Sequence, residues 1–372
     1  MNCKKIKNMI VSLFLTMTVS FSIGGFWTNG VAHASENTQV KDMVNMQPTF
    51  RDVLIDTVKN YNGEDRKLRM NVFKPEGSND KTPVLVFVHG GGWAMGDYQG
   101  DDALGKEKDT QNKSGQMASD NASSYMIFKS ILNKGIAFVS IDYRLNSEAA
   151  FPAQIYDVKG AIRYLRAHAE KFGIDPDRIA ISGTSAGAHL AAELATTSDI
   201  EELEGNVGGN LEYSSKVLAC IDFYGPTDLL TMGPEMDPEL QSKEDAAETH
   251  DSIRANESIL LGFTKEGQGV GVLRELRDKN KVDSPYWDKV KLAELGSPIN
   301  NVTSDDPPMF IAHGGCDSLV SIEQSKRMVE ALNKAGVENI FMSNSKAPHG
   351  FQGKYVNDAA LNWVADKLKA EK

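Results

Sequence analysis

Short, continuous apolar runs recur along most of this chain, at Val84 to Val88, Ile136 to Ile141, Ile179 to Ile181, Val217 to Phe223, Met309 to Ala312 and Asn339 to Met342. A strand reads as unbroken apolar sequence when both of its faces are covered, so these runs predict a buried, mostly parallel sheet. Between them the apolar spacing is helical, over Ala153 to Lys171, Ala186 to Thr196, Ile322 to Ala335 and Val356 to Leu368. Strand and helix in alternation predict an α/β fold with helices on both faces. Binding and catalytic groups then belong on loops at the carboxyl ends of the strands. Ahead of the runs, Phe50 to Pro75 alternates polar and apolar residues around an Asn62-Gly63 turn, which fits two antiparallel opening strands.

Two stretches break the alternation. Residues 97-124 are polar and read as a surface loop insertion, and residues 231-307 separate two strand candidates with mixed, acid-rich sequence that reads as a cap. From Thr231 to Val270 the cap holds nine acidic and three basic residues. Its one compact apolar stretch, Ile259-Leu260-Leu261-Gly262-Phe263, is expected to line part of a pocket.

The amino end has a different organisation. Lysines at 4, 5 and 7 precede an apolar stretch from Met9 to about Trp27, and Ala32-His33-Ala34 ends it before the polar Ser35. That order predicts a secretory signal peptide at 1-34, cleaved after Ala34, followed by one catalytic domain at 35-372 in a secreted or extracytoplasmic protein. The alternative is a retained anchor, against which the small-x-small site and Gly24-Gly25 argue. No membrane insertion is then expected after cleavage. The chain carries a formal net charge of −11, and residues 1-34 contribute only positive charge, so the mature protein is more acidic still. Nucleic acid is therefore excluded as a partner, while the oligomeric state stays open. Of three cysteines, Cys220 and Cys316 lie outside the signal, too few for a disulfide scaffold, and both are expected to be free thiols.

The sharpest chemical signal is Gly183-Thr184-Ser185-Ala186-Gly187, which follows a strand candidate and opens a helical run. A GxSxG elbow needs that strand-turn-helix setting, where small neighbours let the two elements approach and expose the serine hydroxyl. The second is His89-Gly90-Gly91-Gly92-Trp93, directly after Val84 to Val88. Glycines here turn backbone N–H groups toward an oxyanion with no side chain in the way, and the Ala186 amide supplies a further donor. A phosphate loop is disfavoured, because neither GK[ST] nor a helix follows. Trp93 is a candidate wall of the acyl site, or else packs beneath the loop.

Serine needs a base oriented by a carboxylate. His349, in Ala347-Pro348-His349-Gly350-Phe351 between the last strand and the last helix, is placed to supply it. His89, His168, His189, His250 and His313 read as structural. The acid belongs before the histidine, after the penultimate strand, where Asp317 stands; Asp228 is the alternative.

Together, HGGGW at 89 to 93, Asp142-Tyr143-Arg144-Leu145, Phe172-Gly173-Ile174-Asp175-Pro176 leading into GTSAG, Pro307-Pro308 before HGGCD, and HGF at 349 to 351 resemble the bacterial carboxylesterases of the hormone-sensitive-lipase-like branch of α/β hydrolases. The resemblance runs from about Phe50 to the end. It implies the α/β-hydrolase fold, a triad of Ser185, Asp317 and His349, and oxyanion donors at Gly91, Gly92 and Ala186. It implies a small-molecule ester as substrate and neither metal nor cofactor. The chain departs from that family's pattern in its long polar insertion and in placing most of its cap between the sixth and seventh strands. Short acyl esters are expected, since the acid-rich cap lacks the broad apolar lid of a lipase. The competing readings are a serine peptidase or lipase on the same triad, and an inactive binding module of the same fold.

Overall fold

The computed structural model describes residues 47–78, 81–99, 125, 127–237, 250–265, 268–351 and 353–369. The expected signal peptide and nearly all of the 97-124 insertion lie outside them. Eight strands form one sheet in the order β1-β2-β4-β3-β5-β6-β7-β8. They are β1 Phe50–Lys59, β2 Asp65–Phe73, β3 Thr82–Val88, β4 Ala137–Ile141, β5 Ile174–Thr184, β6 Cys220–Phe223, β7 Met309–Gly314 and β8 Asn339–Asn344. β1 pairs antiparallel with β2, and β2 with β4; every later pairing is parallel. The opening hairpin turns where Asn60 Oδ1 accepts from the amides of Asn62 and Glu64, with Gly63 at φ 76°.

The helices are α1 Ala153–Ala167, α2 Ala169–Phe172, α3 Ala186–Thr196, α4 Met232–Glu235, α5 Asn256–Leu260, α6 Val270–Asp278, α7 Trp287–Leu295, α8 Ile322–Ala335 and α9 Lys354–Lys369. None is long and apolar enough to cross a membrane among the described residues. The side chains of a strand alternate between faces, and so β3 feeds two cores. Val84, Val86 and Val88 join the aliphatic residues of α1, α3 and α8. Leu85 and Phe87 join an aromatic layer with Phe128, Phe138, Phe223 and Phe310, covered by α9. A strand supplying both cores must be apolar throughout, which is the pattern the sequence displays.

The long connection from β6 to β7 carries α4 to α7, where the cap was expected. Its apolar stretch does something other than expected. Leu260, Leu261 and Phe263 are buried in the aliphatic core beneath the cap, with Phe263 against Tyr286 at 6.0 Å between ring centroids. Fastening the cap uses them up, so the pocket takes its apolar wall from elsewhere.

Candidate active site

β5 runs into α3 through Ser185, whose φ of 52° and ψ of −123° lie outside the regions favoured by L-residues. Such a conformation costs of order 1–3 kcal/mol and persists only where its surroundings enforce it. They do so here through backbone contacts. Ser185 N–H donates to Phe223 O at 2.9 Å, and the His189 N–H donates to Ser185 O at 3.0 Å. A Cβ on Gly187 would fall 2.2 Å from Val88 O, and one on Gly183 2.2 Å from Gly187 O. The glycines of the motif are thus required by the close approach of three backbone segments.

His349 reaches back over the sheet from the loop after β8. Its Nδ1 lies 2.7 Å from Asp317 Oδ2 and its Nε2 3.2 Å from Ser185 Oγ, while the Tyr224 ring packs edge-on against its imidazole at 4.8 Å. Asp317 follows β7 and is fully buried. Its Oδ1 accepts from the amides of Leu319 and Val320, at 2.8 and 2.9 Å. Burial opposes charge on this carboxyl, but the His349 and His313 imidazoles beside it hold it well below the usual carboxylate range. His313, read from sequence as structural, therefore has a share in the site. Its Nε2 lies 3.2 Å from Asp317 Oδ2 and 3.0 Å from Val320 O, and its Nδ1 2.7 Å from Ser325 Oγ. Asp228 stands elsewhere, with Oδ2 2.8 Å from Arg327.

A cavity of about 140 Å³ opens at Ser185 and His349. Gly92 and Ala186 line it beside the serine, and Ala186 begins α3, where the helix dipole favours negative charge. Gly91 does not line it. At φ 110° that residue closes the loop, its carbonyl accepting from Ala94 and Met95, and a Cβ there would strike Met95 O at 2.2 Å. Trp93 borders the cavity yet is only 2 % exposed. Its indole N–H donates to His189 Nδ1 at 3.3 Å, so the packing reading describes most of what this side chain does. His189 in turn donates from Nε2 to Gly296 O at 2.8 Å, and burial pushes its pKa down to about 4, which keeps the ring neutral.

Met232, Leu319, Val320 and Pro226 complete the apolar wall. His250, Asn256 and Glu257 add a polar one from the cap. Neither wall could be read from the sequence, because each depends on how the cap seats on the sheet. The cysteines do not pair with each other. Cys220 is a buried free thiol. Cys316 is disulfide-bonded in the uncleaved chain, which corrects the expectation of a free thiol there; the one other cysteine, Cys3, leaves with residues 1-34 in the cleavage expected after Ala34.

A serine held on a strained strand-to-helix turn, with a buried carboxylate and an imidazole aligned behind it on a mostly parallel sheet, defines an α/β hydrolase. The sequence comparisons agree. The BD-FAE family profile matches residues 110–332, more than half of the chain. The chain belongs to that family, among the hormone-sensitive-lipase-like bacterial esterases. It is 26 % identical over 258 residues to the probable carboxylic ester hydrolase LipM of Mycobacterium tuberculosis, covering 69 % of this chain and 46 % of LipM. It is 29 % identical over 272 residues to the esterase LipQ of the same organism, covering 73 % and 51 %. The chain thus spans about half the length of the curated relatives it matches. Among solved structures, a truncated carbohydrate esterase from gut microbiota superposes with a TM-score of 0.61 at 26 % identity, over 87 % of this chain and 100 % of that one. A bifunctional GH43-CE protein from Bacteroides eggerthii also superposes at 0.61, with 27 % identity, over 81 % and 33 %.

Proposed function

We propose that this protein is a secreted serine esterase that cleaves short-chain carboxylic esters through an acyl-enzyme intermediate. The observation that carries the reading is the hydrogen-bonded chain from Ser185 through His349 to Asp317 at the edge of the cavity. In this reading His349 Nε2 takes the Ser185 proton as Oγ attacks the ester carbonyl, and Asp317 stabilises the imidazolium. The developing oxyanion is met by the amides of Ala186 and Gly92, with Gly91 as a further candidate. His349 then gives its proton to the departing alcohol. Water enters, and the same groups run the sequence in reverse to free the acid and Ser185.

Two supports bear on the acyl group. A cavity of about 140 Å³ is well below the roughly 300 Å³ at which drug-sized ligand pockets begin, so it suits acetyl to butyryl groups. The apolar stretch of the cap is buried in the core and offers no broad lid to an oil surface. Similarity to a carbohydrate esterase makes acylated saccharides the natural first panel. Secretion rests on the layout of residues 1-34, with cleavage proposed after Ala34.

The test is covalent labelling by a serine-directed phosphonate together with a chain-length series of p-nitrophenyl esters below micelle formation. Labelling confined to Ser185 and a kcat/KM maximum at acetyl to butyryl are expected. Labelling of another serine, or a maximum at decanoyl or longer, would overturn the reading. Amino-terminal sequencing of protein recovered from culture medium tests the cleavage site, with Ser35 as the expected first residue.

A further inference from the structure

The cap brings to the cavity wall a polar pair that the Ser185 chemistry does not use. His250 and Glu257 are 3 % and 2 % exposed, and His250 Nδ1 lies 2.6 Å from Glu257 Oε1. Both line the cavity that holds Ser185 and His349. The second ring nitrogen of His250, Nε2, is buried and has no hydrogen-bond partner among the described residues. A carboxylate only accepts, so Nδ1–H donates to Glu257 and the ring is held with Nε2 as its open position.

A histidine that fastens two segments can have both nitrogens engaged. That is the case for His189, between Trp93 and the Gly296 carbonyl, and for His313, between Ser325 and the Val320 carbonyl. His250, like His89, leaves Nε2 unmet, and of these two only His250 lines the cavity. Buried polar atoms are almost always paired, and an exception in a residue that lines a cavity is one that a ligand group can complete. Acyl transfer already has its base in His349 and has no use for a second imidazole.

We propose that His250 is a specificity-determining residue whose Nε2 hydrogen-bonds a hydroxyl carried by the ester substrate, with Glu257 as the positioning residue that fixes the ring. The proposal rests on the esterase reading above. A hydroxyl both donates and accepts, so it pairs with Nε2 as a lone pair on the neutral ring and equally as an N–H on the charged one. The neighbouring wall of Met232, Leu319 and Val320 is apolar, which withholds water from that hydrogen bond. A dry site built to bond a hydroxyl rejects the analogue lacking it far more strongly than an apolar pocket rejects an extra methylene. Asn256, from the same cap segment, stands so near the oxyanion loop that a Cβ on Gly92 would lie 2.5 Å from its Nδ2. The polar wall therefore adjoins the reacting centre.

Two matched ester pairs test this. Glyceryl 1-monoacetate against propyl acetate places hydroxyls on the alcohol side, and methyl 3-hydroxybutyrate against methyl butyrate places one on the acyl side. Hydrolysis by the full-length protein is followed by pH-stat, and each kcat/KM is divided by the hydroxide-catalysed rate of the same ester to remove intrinsic reactivity. The unsubstituted protein is expected to prefer the hydroxylated member of at least one pair by about tenfold or more, and His250→Leu to bring that ratio to within about twofold of unity. Glu257→Gln is expected to lower the ratio part of the way. Absence of preference in the unsubstituted protein overturns the proposal however the variants fold, and so does a preference that survives His250→Leu. Failure of the esterase reading looks different: p-nitrophenyl acetate is not hydrolysed and Ser185 is not labelled, and the proposal falls with it.

Discussion

Replacing Asp317 by asparagine changes one atom in a set of four contacts. Oδ1 holds the amides of Leu319 and Val320, and an asparagine carbonyl can keep both. Oδ2 faces His349 Nδ1 at 2.7 Å and His313 Nε2 at 3.2 Å, and an NH₂ group there sets donor against donor. His349 relieves the clash by moving its proton to Nε2, which leaves that nitrogen unable to accept from Ser185. Wrong-tautomer variants of this kind lose roughly 10³–10⁴ in turnover, about 4–5.5 kcal/mol at 1.36 kcal/mol per decade, with little change in substrate binding. Stability should fall too, by about 1.5–3 kcal/mol for charge-assisted hydrogen bonds lost at a fully buried site. The sign with pH follows from the lowered pKa: the folded state favours the ionised carboxyl, so its contribution is complete above the unfolded pKa and is lost as pH falls below it. The stability gap between parent and variant should therefore be wider at pH 7 than at pH 3. Steady-state kinetics with p-nitrophenyl acetate and thermal unfolding at the two pH values measure both effects. Asp228→Asn, which loosens a largely buried pairing with Arg327 that stands apart from the triad, should leave turnover within about threefold. A turnover within tenfold of the parent for Asp317→Asn, or a larger loss for Asp228→Asn, would refute the assignment.

Three further substitutions probe the elbow and its neighbourhood. Ser185→Gly should abolish ester hydrolysis and yet raise the melting temperature, by an amount equivalent to about 1 kcal/mol, because glycine adopts φ 52° without strain; a lower melting temperature would show that the turn is not strained. Gly187→Ala should destabilise the fold by about 3 kcal/mol or more, as measured by denaturant unfolding, since its methyl would lie 2.2 Å from Val88 O and 2.4 Å from His89 O, and backbone cannot give way as a side chain tip can. Burial raises the Asp222 carboxyl to about 6, so between about pH 4 and 6 the native state holds a proton that the unfolded chain has released, and stability falls across that window and levels off above it. Asp222→Asn should gain stability relative to the parent as pH rises from 4 to 7.5, by at most about 3 kcal/mol at 1.36 kcal/mol per pH unit, and a gap independent of pH would rule this out.

The order of elements was legible in the sequence because each has a local cause. The elbow helix, expected from Ala186 to Thr196, occupies that range, and the helix expected from Ile322 to Ala335 does likewise. Continuous apolar runs marked the strands since β3 and its neighbours are covered on both faces. Ser185, Asp317 and His349 stood out by their positions after β5, β7 and β8 of that alternating pattern, where a parallel sheet gathers its loops at one end. Boundaries drifted where periodicity gives no stop: the run ending at Lys171 is broken at His168, between α1 and α2. What only the tertiary structure decided was how non-local surfaces meet. Ile259 to Phe263 looked like pocket lining and is largely core, for an apolar pentapeptide serves either role until its partner surface is known. His313 and His250 carried no local signal, and one came to share the carboxylate of Asp317 while the other came to line the cavity. A residue's own sequence neighbourhood determines its backbone. Its chemical company is set by segments tens of residues away, and for His250 by the seating of a cap on a sheet.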